Sequence, residues 1–172
     1  YFKSLSGQVK RIQNSKPFLV FGSGSETACT PISERDLANY LLDCIKDPIK
    51  WNRILPIGGP KPALTPNAQA ELMAGVFQKP LKIKRISPKL FDRLGWVLSV
   101  LAPGSQWARD KSELMKIGKY YATESMLCWD PETQSYDETS TPSTGSDRIE
   151  NHFVKIRDGQ EILSQDPNSQ IY

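Results

Sequence analysis

The sequence predicts an α/β fold in which helices predominate and the strands are few and short. The chain has 172 residues, of which 38% are hydrophobic and 24% are charged, a composition typical of a globular domain with its own core. Segments with helical periodicity alternate with short runs of β-branched and aromatic residues. Neither an internal repeat nor a clear linker divides the chain. These observations favour a mixed fold over an all-helical or all-β one.

The chain begins with a predicted helix followed by a predicted strand. Residues 2–14 have the apolar spacing of an amphipathic helix, and residues 18–21 form a short β run. The run ends at Gly22-Ser23-Gly24, which predicts a turn and not a phosphate-binding loop. The reason is that no third glycine follows at the required spacing and no helix opens directly behind it.

A second helix is predicted to begin at Ser33 and to end before Pro48. Ser33 is a good N-cap, and Asp36 follows three residues later, as in a capping box. The buried stripe is expected to consist of Leu37, Tyr40, Leu41, Cys44 and Ile45. A strand over residues 53–57, closed by Gly58-Gly59-Pro60, is predicted after this helix.

The middle of the chain predicts a helix, a strand and a further helix. Thr65-Pro66 is typical of a helix start, and the helix is expected to extend to about residue 77. Alternation over residues 81–86 indicates a half-buried strand. The helix after Pro88 is apolar on nearly every side over residues 94–101.

The last third of the chain predicts helix, strand, loop and helix. Residues 106–118 are expected to be helical, and the Tyr-Tyr run that follows is expected to be a strand. Residues 130–145 are rich in Pro, Thr, Ser and acidic side chains, which predicts a loop. A last helix is predicted from Ser146, and the tail from residue 163 is expected to fray. The buried side of the last helix is expected to hold Ile149, Phe153 and Ile156.

Charge and cysteine content argue against several classes of function. The formal net charge is +3 and basic residues are spread along the chain, so nothing indicates a nucleic-acid-binding stripe. The densest basic cluster, residues 79–89, is interpreted as a solvated strand face, with contact to anionic lipid or to a substrate carboxylate as the alternative. Cys29, Cys44 and Cys128 have neither zinc-ligand nor disulfide-framework spacing, which fits a reducing compartment.

The sequence shows neither a metal site nor a targeting segment. The single histidine, His152, is expected on a helix beside Phe153 and not as a ligand of a metal or pigment. The chain opens on a helical pattern already under way, without a signal or transit sequence. The longest apolar stretch, residues 94–102, is about half of what a membrane span needs.

The most informative run extends from Gly118 to Leu127 and contains two adjacent tyrosines, a carboxylate and a hydroxyl. In a strand packed on the core, these polar groups are costly to bury unless a partner satisfies them. The run therefore predicts either a hydrogen-bonded network in the core or part of a ligand site.

The same run also carries a resemblance to a known family. Together with three further blocks it resembles the C-terminal half of the plastid divinyl chlorophyllide 8-vinyl reductases, which are atypical short-chain dehydrogenases/reductases. The further blocks are Pro31-Ile32-Ser33-Glu34-Arg35-Asp36-Leu37-Ala38, Leu55-Pro56-Ile57-Gly58-Gly59-Pro60 and Thr139-Ser140-Thr141-Pro142-Ser143-Thr144-Gly145. The resemblance implies that residues 1–59 end a Rossmann-like nucleotide-binding domain and that residues 60–172 form a mostly helical substrate-binding subdomain.

The resemblance also implies NADPH as the hydride donor, bound mainly by residues upstream of Tyr1. In this chain no glycine-rich dinucleotide loop opens a helix. No tyrosine has a lysine four residues later, as the superfamily's Tyr-x-x-x-Lys pair requires. The chain by itself is therefore not expected to complete a reductase site.

On this resemblance the ligand would be a chlorophyllide-type tetrapyrrole, a flat aromatic macrocycle with a carboxylate. Such a ligand requires apolar or aromatic plates and cations at the rim. The candidate plates are Phe91, Trp96, Trp107, Tyr120 and Met126, the candidate rim cations are Arg93 and Arg109, and Tyr121 and Glu124 are the candidate polar partners.

Each candidate also has a purely structural interpretation. Phe91 and Trp96 belong to a strongly apolar helix and fit a core equally well. The two arginines fit an ordinary surface, and the two tyrosines with Glu124 fit a hydrogen-bonded network that supports the fold.

The main hypothesis is that the chain is part of an NADPH-dependent reductase, which converts the 8-vinyl group of a divinyl (proto)chlorophyllide to ethyl. This reductase is expected in the plastid stroma or at the thylakoid surface. The alternative is a non-catalytic dehydrogenase-like subunit or assembly factor docked on a photosynthetic membrane complex, which the apolar stretch at residues 94–101 favours. A reductase of another flat aromatic compound remains open as well, because superfamily membership does not define the substrate.

Overall fold

Helices make up most of the structure, a computed structural model that describes residues 2–101 and 104–162, without the side chains of Ser99 and Leu101. A turn of 3₁₀-helix at Ser6–Gln8 joins the first two helices. In chain order the elements are α1 (Phe2–Leu5), α2 (Val9–Gln13), β1 (Phe18–Phe21), α3 (Glu34–Lys46), α4 (Pro66–Val76), β2 (Ile83–Ile86), α5 (Lys89–Leu101), α6 (Gln106–Thr123), β3 (Cys128–Asp130), β4 (Ser135–Asp137) and α7 (Ile149–Arg157).

Within the described residues, four strands form two separate two-stranded sheets. β1 pairs with β2 in parallel, with Phe18 opposite Ile83 and Phe21 opposite Ile86. Because parallel strands need a long crossover, α3 and α4 both lie in the connection between them. β3 and β4 form an antiparallel hairpin in which Trp129 lies opposite Tyr136. The mixed, mostly helical α/β class is thus confirmed.

One apolar core joins α1, α2, β1, α4 and α7. Its largest fully buried side chains are Phe153, Ile12, Met73, Val9 and Val20. The core draws residues from both sides of position 59, and the division of the whole protein into a nucleotide-binding and a substrate-binding part stays a prediction. Ile149, Phe153 and Ile156 are buried on α7, as expected.

The buried histidine links three parts of the chain. His152 lies on α7 beside Phe153. Its Nε2 is 2.9 Å from Ser6 Oγ, and its Nδ1 is 3.0 Å from Glu161 Oε2. Both ring nitrogens therefore have protein partners, which accounts for this polar side chain beside the core.

The predicted helix caps are confirmed. Ser33 Oγ accepts a hydrogen bond from Asp36 N at 3.0 Å, and Thr65 Oγ1 accepts one from Ala68 N at 3.2 Å. The glycines after β1 form a turn, with φ of 67° at Gly22 and 78° at Gly24. Lys84 and Arg85 on β2 are exposed, as expected of a solvated strand face.

The predicted strand at the Tyr-Tyr run is wrong, because α6 continues through both tyrosines to Thr123. Ser105 caps this helix at its start, and Glu124 N still donates to Tyr120 O at 2.9 Å. Good helix formers precede the tyrosines, and Ala122 is buried inside the last turn. The tyrosines thus lie on a helix surface and not in a buried strand.

One expectation around α3 is wrong and another is wrong in part. Arg53 lies in a bend and residues 54–57 form no strand, since no described strand pairs with them. The predicted buried stripe of α3 is formed only in part: Leu37, Tyr40 and Cys44 are half-buried, whereas Leu41 is 54% exposed and Ile45 is 69% exposed. The residue that this helix buries is Asp36.

Two further boundaries differ from the prediction. The predicted loop at residues 130–145 includes the end of β3 and all of β4, so it is partly a hairpin. α7 begins at Ile149 and not at Ser146, because Asp36 Oδ2 holds the backbone N–H groups of Ser146 and Asp147 at 3.0 and 2.9 Å. The tail from residue 163 lies outside the described residues. Within the described part of the chain, no helix combines the length and apolar character needed to cross a membrane.

We expect Phe153→Ala to lower the free energy of unfolding by about 3–5 kcal/mol, because the lost ring leaves a cavity in the core. Urea denaturation followed by far-UV circular dichroism measures the change. Ile162→Ala is the control, since Ile162 is 85% exposed and its truncation is expected to cost less than about 0.5 kcal/mol. Similar losses in the two variants would contradict this description of the core.

Candidate substrate-binding site

β1 and β2 end at the same edge of the parallel sheet, and the segments that follow them in the chain form the candidate site. β1 is followed by the turn at residues 22–25, and β2 is followed closely by α5. Phe21 at the end of β1 packs against Phe91 of α5, with ring centroids 4.9 Å apart. Ligands of open α/β sheets usually bind at the carboxyl ends of the strands. Phe91 is therefore placed where a ligand is expected.

α5 and α6 pack against each other as a helical hairpin beside this edge. Gly118 permits the close approach, because a Cβ there would come within 2.9 Å of Phe91 Cε1. Lys119 Nζ bridges the helices by lying 2.9 Å from each carboxylate oxygen of Asp92. The hairpin is thus held by an aromatic contact and an ion pair.

An open cleft of about 280 Å³ lies between α5 and α6. Its volume is at the lower limit of small-molecule pockets, so it has room for the rim of a large flat ligand and not for the whole of it. Its lining is Phe91, Asp92, Gly95, Trp96, Ser112, Met115 and Lys116.

The segment that follows α6 is fixed to the segment that follows β1. Ser125 Oγ accepts a hydrogen bond from Ala28 N at 3.1 Å and lies 2.9 Å from Ala28 O. Met126 N donates to the same carbonyl at 2.8 Å. These contacts hold the end of α6 near the carboxyl end of β1.

The end of α6 and the β3–β4 hairpin expose four aromatic side chains, which we call the aromatic cluster: Tyr120, Tyr121, Trp129 and Tyr136. Their exposed fractions are 58%, 53%, 54% and 37% in that order. Tyr120 and Tyr121 are in edge contact at 6.0 Å between centroids, and Trp129 and Tyr136 are in edge contact at 5.2 Å. Exposed aromatic groups of this kind are suited to stacking on a flat partner.

A hydrogen bond connects the hairpin to the end of α6. Tyr136 Oη donates to Glu124 Oε2 at 2.7 Å. This bond to a carboxylate raises the pKa of the Tyr136 phenol, and the nearby Tyr120 adds to the effect. Since a tyrosine is protonated at neutral pH even without this shift, the Tyr136 phenol is a hydrogen-bond donor to Glu124 under these conditions.

Hydrogen bonds from residues 137–141, which follow the hairpin in the chain, hold it in place. Thr141 is buried, and its Oγ1 accepts from Cys128 N at 2.8 Å and donates to Asp137 O at 2.7 Å. The Asp137 carboxylate accepts hydrogen bonds from Ser140 and Thr139, which lower its pKa to about 2. The loop that carries the hairpin is thus ordered by local hydrogen bonds.

The structure divides the residues predicted for the site into three groups. Tyr120, Tyr121, Glu124 and Met126 lie together at and just beyond the end of α6. Phe91 and Trp96 line the cleft, and Trp96 is 67% exposed and so is not a core residue of this chain. The third group is formed by Trp107 and Arg109 at the start of α6 and by the exposed Arg93 on α5.

The third group is not part of the aromatic cluster. Trp107 is thirteen helical positions from Tyr120, about 20 Å along the axis. Arg109 makes its side-chain hydrogen bond to Gln106 Oε1 at 3.0 Å. A cation nearer to the end of α6 is Lys119, which forms an ion pair with Asp92.

Two members of the aromatic cluster, Trp129 and Tyr136, were not among the residues predicted for the site. Both fall near or within the segment predicted as a loop. The signal that identifies them is a hairpin pattern: two short runs, each with a central aromatic residue, on either side of a turn that contains Pro131.

The described residues do not form a cradle that fits NADPH. The turn at residues 22–25 does not open a helix, and its backbone is engaged: Gly22 N donates to Ile86 O at 3.0 Å, and Asn67 N donates to Gly24 O at 3.1 Å. Among the described residues, no group of three or more His, Cys, Asp or Glu side chains is placed to hold a metal ion.

Cys29 lies in the segment that leads from the turn to α3. Its backbone pairs with Leu64 in both directions, at 3.1 and 2.8 Å, and its Sγ is 3.6 Å from Gln69 Nε2. Burial raises the pKa of the Cys29 thiol to about 11. Cys29, Cys44 and Cys128 are free thiols in this structure.

Comparison with known proteins identifies the chain as a relative of chloroplast reductases. No family model matches it. Three relatives align with 96% of the chain, over 169 residues each. They are divinyl chlorophyllide a 8-vinyl-reductases of Oryza sativa subsp. indica, Arabidopsis thaliana and Cucumis sativus, with 46%, 44% and 41% identity.

The chain is therefore homologous to the divinyl chlorophyllide a 8-vinyl reductases, which confirms the resemblance stated above. It spans about two fifths of their length, 42% of the Oryza protein and 40% of the Arabidopsis one.

We expect Cys29 to react with iodoacetamide at pH 8 roughly a hundredfold more slowly than an ordinary thiol. The reason is that the thiolate is the reactive form, and a pKa about two units higher lowers the thiolate fraction by about that factor. Peptide mapping by mass spectrometry measures the rate at each cysteine. The same cysteine in the urea-unfolded chain is the control. Equal rates in the folded and unfolded chain would show that Cys29 is not buried.

Proposed function

We propose that this chain is the tetrapyrrole-binding part of an NADPH-dependent reductase that converts the 8-vinyl group of a divinyl (proto)chlorophyllide to ethyl in chlorophyll biosynthesis. Homology to the 8-vinyl reductases supports the reaction class. The observation that carries the proposal is the aromatic cluster, four exposed rings at the end of α6 and on the hairpin. The chloroplast location of the relatives supports a place in the plastid stroma or at the thylakoid surface.

The macrocycle is proposed to lie on the aromatic cluster with one edge toward the α5–α6 cleft. The rings of Trp129 and Tyr120 offer stacking area, and edge-on neighbours keep them in place. Covering these rings on binding would exclude water from one face of the macrocycle. The cations that could meet a substrate carboxylate at this end are Lys116 on the cleft and Lys119 beside it.

The pair of Tyr136 and Glu124 is proposed to position the hairpin and to hold a proton at Tyr136 Oη. The hydrogen bond of 2.7 Å fixes the phenol beside the aromatic cluster. A tyrosine with an ordinary pKa is already protonated at neutral pH, and the raised pKa of Tyr136 extends that state to higher pH. NADPH, which supplies the hydride in this proposal, is assigned to residues outside this chain, since the described residues offer it no cradle.

A second candidate function, a non-catalytic subunit or assembly factor of a photosynthetic membrane complex, is favoured by α5. This helix exposes Leu90, Leu94, Val97 and Val100, with exposed fractions between 37% and 52%. Stoichiometric co-purification with a membrane complex, in a protein that neither binds tetrapyrrole nor turns it over, would support this candidate against the reductase.

We expect Trp129→Ala to weaken binding of zinc pheophorbide a to the chain by about 5- to 30-fold, the loss of one stacking contact of about 1–2 kcal/mol. Titration followed by the Soret absorbance band gives the dissociation constant. Trp51→Ala is the matched control, because Trp51 is also 54% exposed but lies beyond the end of α3. Unchanged affinity in Trp129→Ala, or an equal loss of affinity in Trp51→Ala, would show that the aromatic cluster does not bind the pigment.

A further inference from the structure

Glu124 is a carboxylate set among the rings of the aromatic cluster. It caps the end of α6, where its backbone N–H donates to Tyr120 O at 2.9 Å. The side chain is half-buried, and one of its oxygens, Oε2, accepts the hydrogen bond from Tyr136 Oη at 2.7 Å. In the described part of the chain, the other oxygen, Oε1, has neither a hydrogen bond nor an ion pair. One oxygen of this carboxylate is therefore available to a ligand.

The two cations that precede Glu124 on α6 are engaged elsewhere. Lys119 contacts both carboxylate oxygens of Asp92, and Lys116 forms an ion pair with Glu113 at 2.7 Å. The Glu124 carboxylate thus keeps its charge uncompensated, and the faces of the aromatic rings beside it carry negative partial charge of their own. A ligand that complements this place is flat and has a positive centre.

The two aspartates of the hairpin differ from Glu124 in this respect. Asp130 Oδ1 accepts from Glu132 N and Asp130 Oδ2 accepts from Thr133 Oγ1, each at 2.9 Å. The Asp137 carboxylate accepts three hydrogen bonds from the residues that follow it. Both oxygens of each aspartate therefore serve the turns of the hairpin.

The other polar groups at the end of α6 are poor ligands for a hard metal ion. The tyrosine phenols are protonated at neutral pH. Met126 is 46% exposed, but its thioether suits soft metals. The Ser125 hydroxyl already contacts both the N–H and the carbonyl of Ala28. Glu124 Oε1 is the oxygen of this group that combines the right chemistry with a free position.

A chlorophyllide has the positive centre that this carboxylate complements. Its magnesium ion is held by four ring nitrogens in the plane of the macrocycle, which leaves a coordination position above the ring. Magnesium prefers oxygen ligands, carboxylates among them. A macrocycle that stacks on the aromatic cluster turns this position toward the surface that carries Glu124.

We infer that Glu124 Oε1 is the axial ligand of the magnesium ion at the centre of the bound tetrapyrrole, where it replaces a water molecule. The inference rests on the proposed function, because it takes the aromatic cluster to be the tetrapyrrole site. Tyr136 has the supporting role, since its hydrogen bond to Oε2 orients the carboxylate, as is usual for carboxylates that bind metals.

Charge also determines the direction of the macrocycle. Glu124 repels the ligand's own carboxylate. Lys119 on the α5–α6 side attracts it, because an ammonium group has three N–H donors and Asp92 takes two of them. In a chlorophyllide the carboxylate and the 8-vinyl group are on opposite rings. With its carboxylate toward the cleft and its metal on Glu124, the ligand therefore directs the 8-vinyl group away from the cleft.

The test compares two pigments that differ only in the central metal. Zinc pheophorbide a and metal-free pheophorbide a have the same macrocycle and the same carboxylate, so the ratio of their dissociation constants isolates the contribution of the metal. Zinc accepts a carboxylate oxygen, as magnesium does. We expect the chain to bind the zinc pigment about tenfold more tightly than the metal-free one, which corresponds to about 1.4 kcal/mol. Titration followed by the Soret band measures both constants.

Glu124→Gln and Glu124→Ala are expected to abolish most of this preference, so that the ratio falls toward one. Glu132→Gln is the matched control, because Glu132 is an exposed carboxylate in the turn of the same hairpin, and its variant is expected to keep the ratio of the unsubstituted chain. Both pigments are titrated into the same variant. A partial loss of folded protein therefore affects both constants and cancels in the ratio.

Tyr136→Phe separates ligation from support of the hairpin. This variant loses the hydrogen bond to Glu124 but keeps the carboxylate. We expect it to bind both pigments more weakly at an unchanged ratio. A purely structural role of Glu124 would leave the ratio unchanged in Glu124→Ala as well.

The outcomes distinguish the inference from the proposed function. Equal affinity for the two pigments, or a ratio that Glu124→Gln and Glu124→Ala leave unchanged, would overturn the inference alone. An equal loss of the preference in Glu132→Gln would also overturn it, since any nearby charge would then have the same effect. If the chain binds neither pigment, the proposed function fails and the inference fails with it.

Discussion

Burial of the Phe153 ring in the core is the interaction on which the rest of the structure depends. This side chain is completely buried on α7, in a core that also includes residues of α1, α2, β1 and α4. Segments that are about 150 residues apart in the chain thus share one apolar interior. The adjacent His152 strengthens the same junction through its contacts with Ser6 and Glu161. Because β1 is held by this core, the sheet edge that carries the candidate site has a fixed position.

The candidate site is built outward from that edge by a few specific contacts. Phe21 packs against Phe91 and so positions α5 at the edge, and Gly118 allows α6 to approach Phe91 closely. The hydrogen bonds between Ala28 and Ser125 fix the segment that follows α6. The Tyr136–Glu124 hydrogen bond then aligns the hairpin with this end. The aromatic cluster is therefore exposed yet supported, which is what stacking on a flat ligand requires, since little side-chain entropy remains to be lost on binding.

Among the residues that the structure describes, α3 and α5 each expose an apolar surface, and the two surfaces have different relations to the core. α5 packs on α6 through one side and exposes the other, as a helix at an interface does. α3 is held by polar contacts on its inner side, so Asp36 and not leucine decides its orientation. Leaving such side chains in water is unfavourable, because apolar groups have a higher free energy in water than when buried.

The sequence by itself determined the fold class, the helix caps at Ser33 and Thr65, the strands β1 and β2 and the buried side of α7, because capping and periodicity are local properties. Homology confirmed the reductase resemblance that the blocks of sequence carried. Only the tertiary structure decided that Tyr120 and Tyr121 belong to a helix, that α3 exposes Leu41, Leu42 and Ile45, and that Trp129 and Tyr136 join the aromatic cluster. These outcomes depend on contacts such as Gly118 with Phe91 and Asp36 with Ser146, whose partners lie far apart in the chain, so no local pattern encodes them.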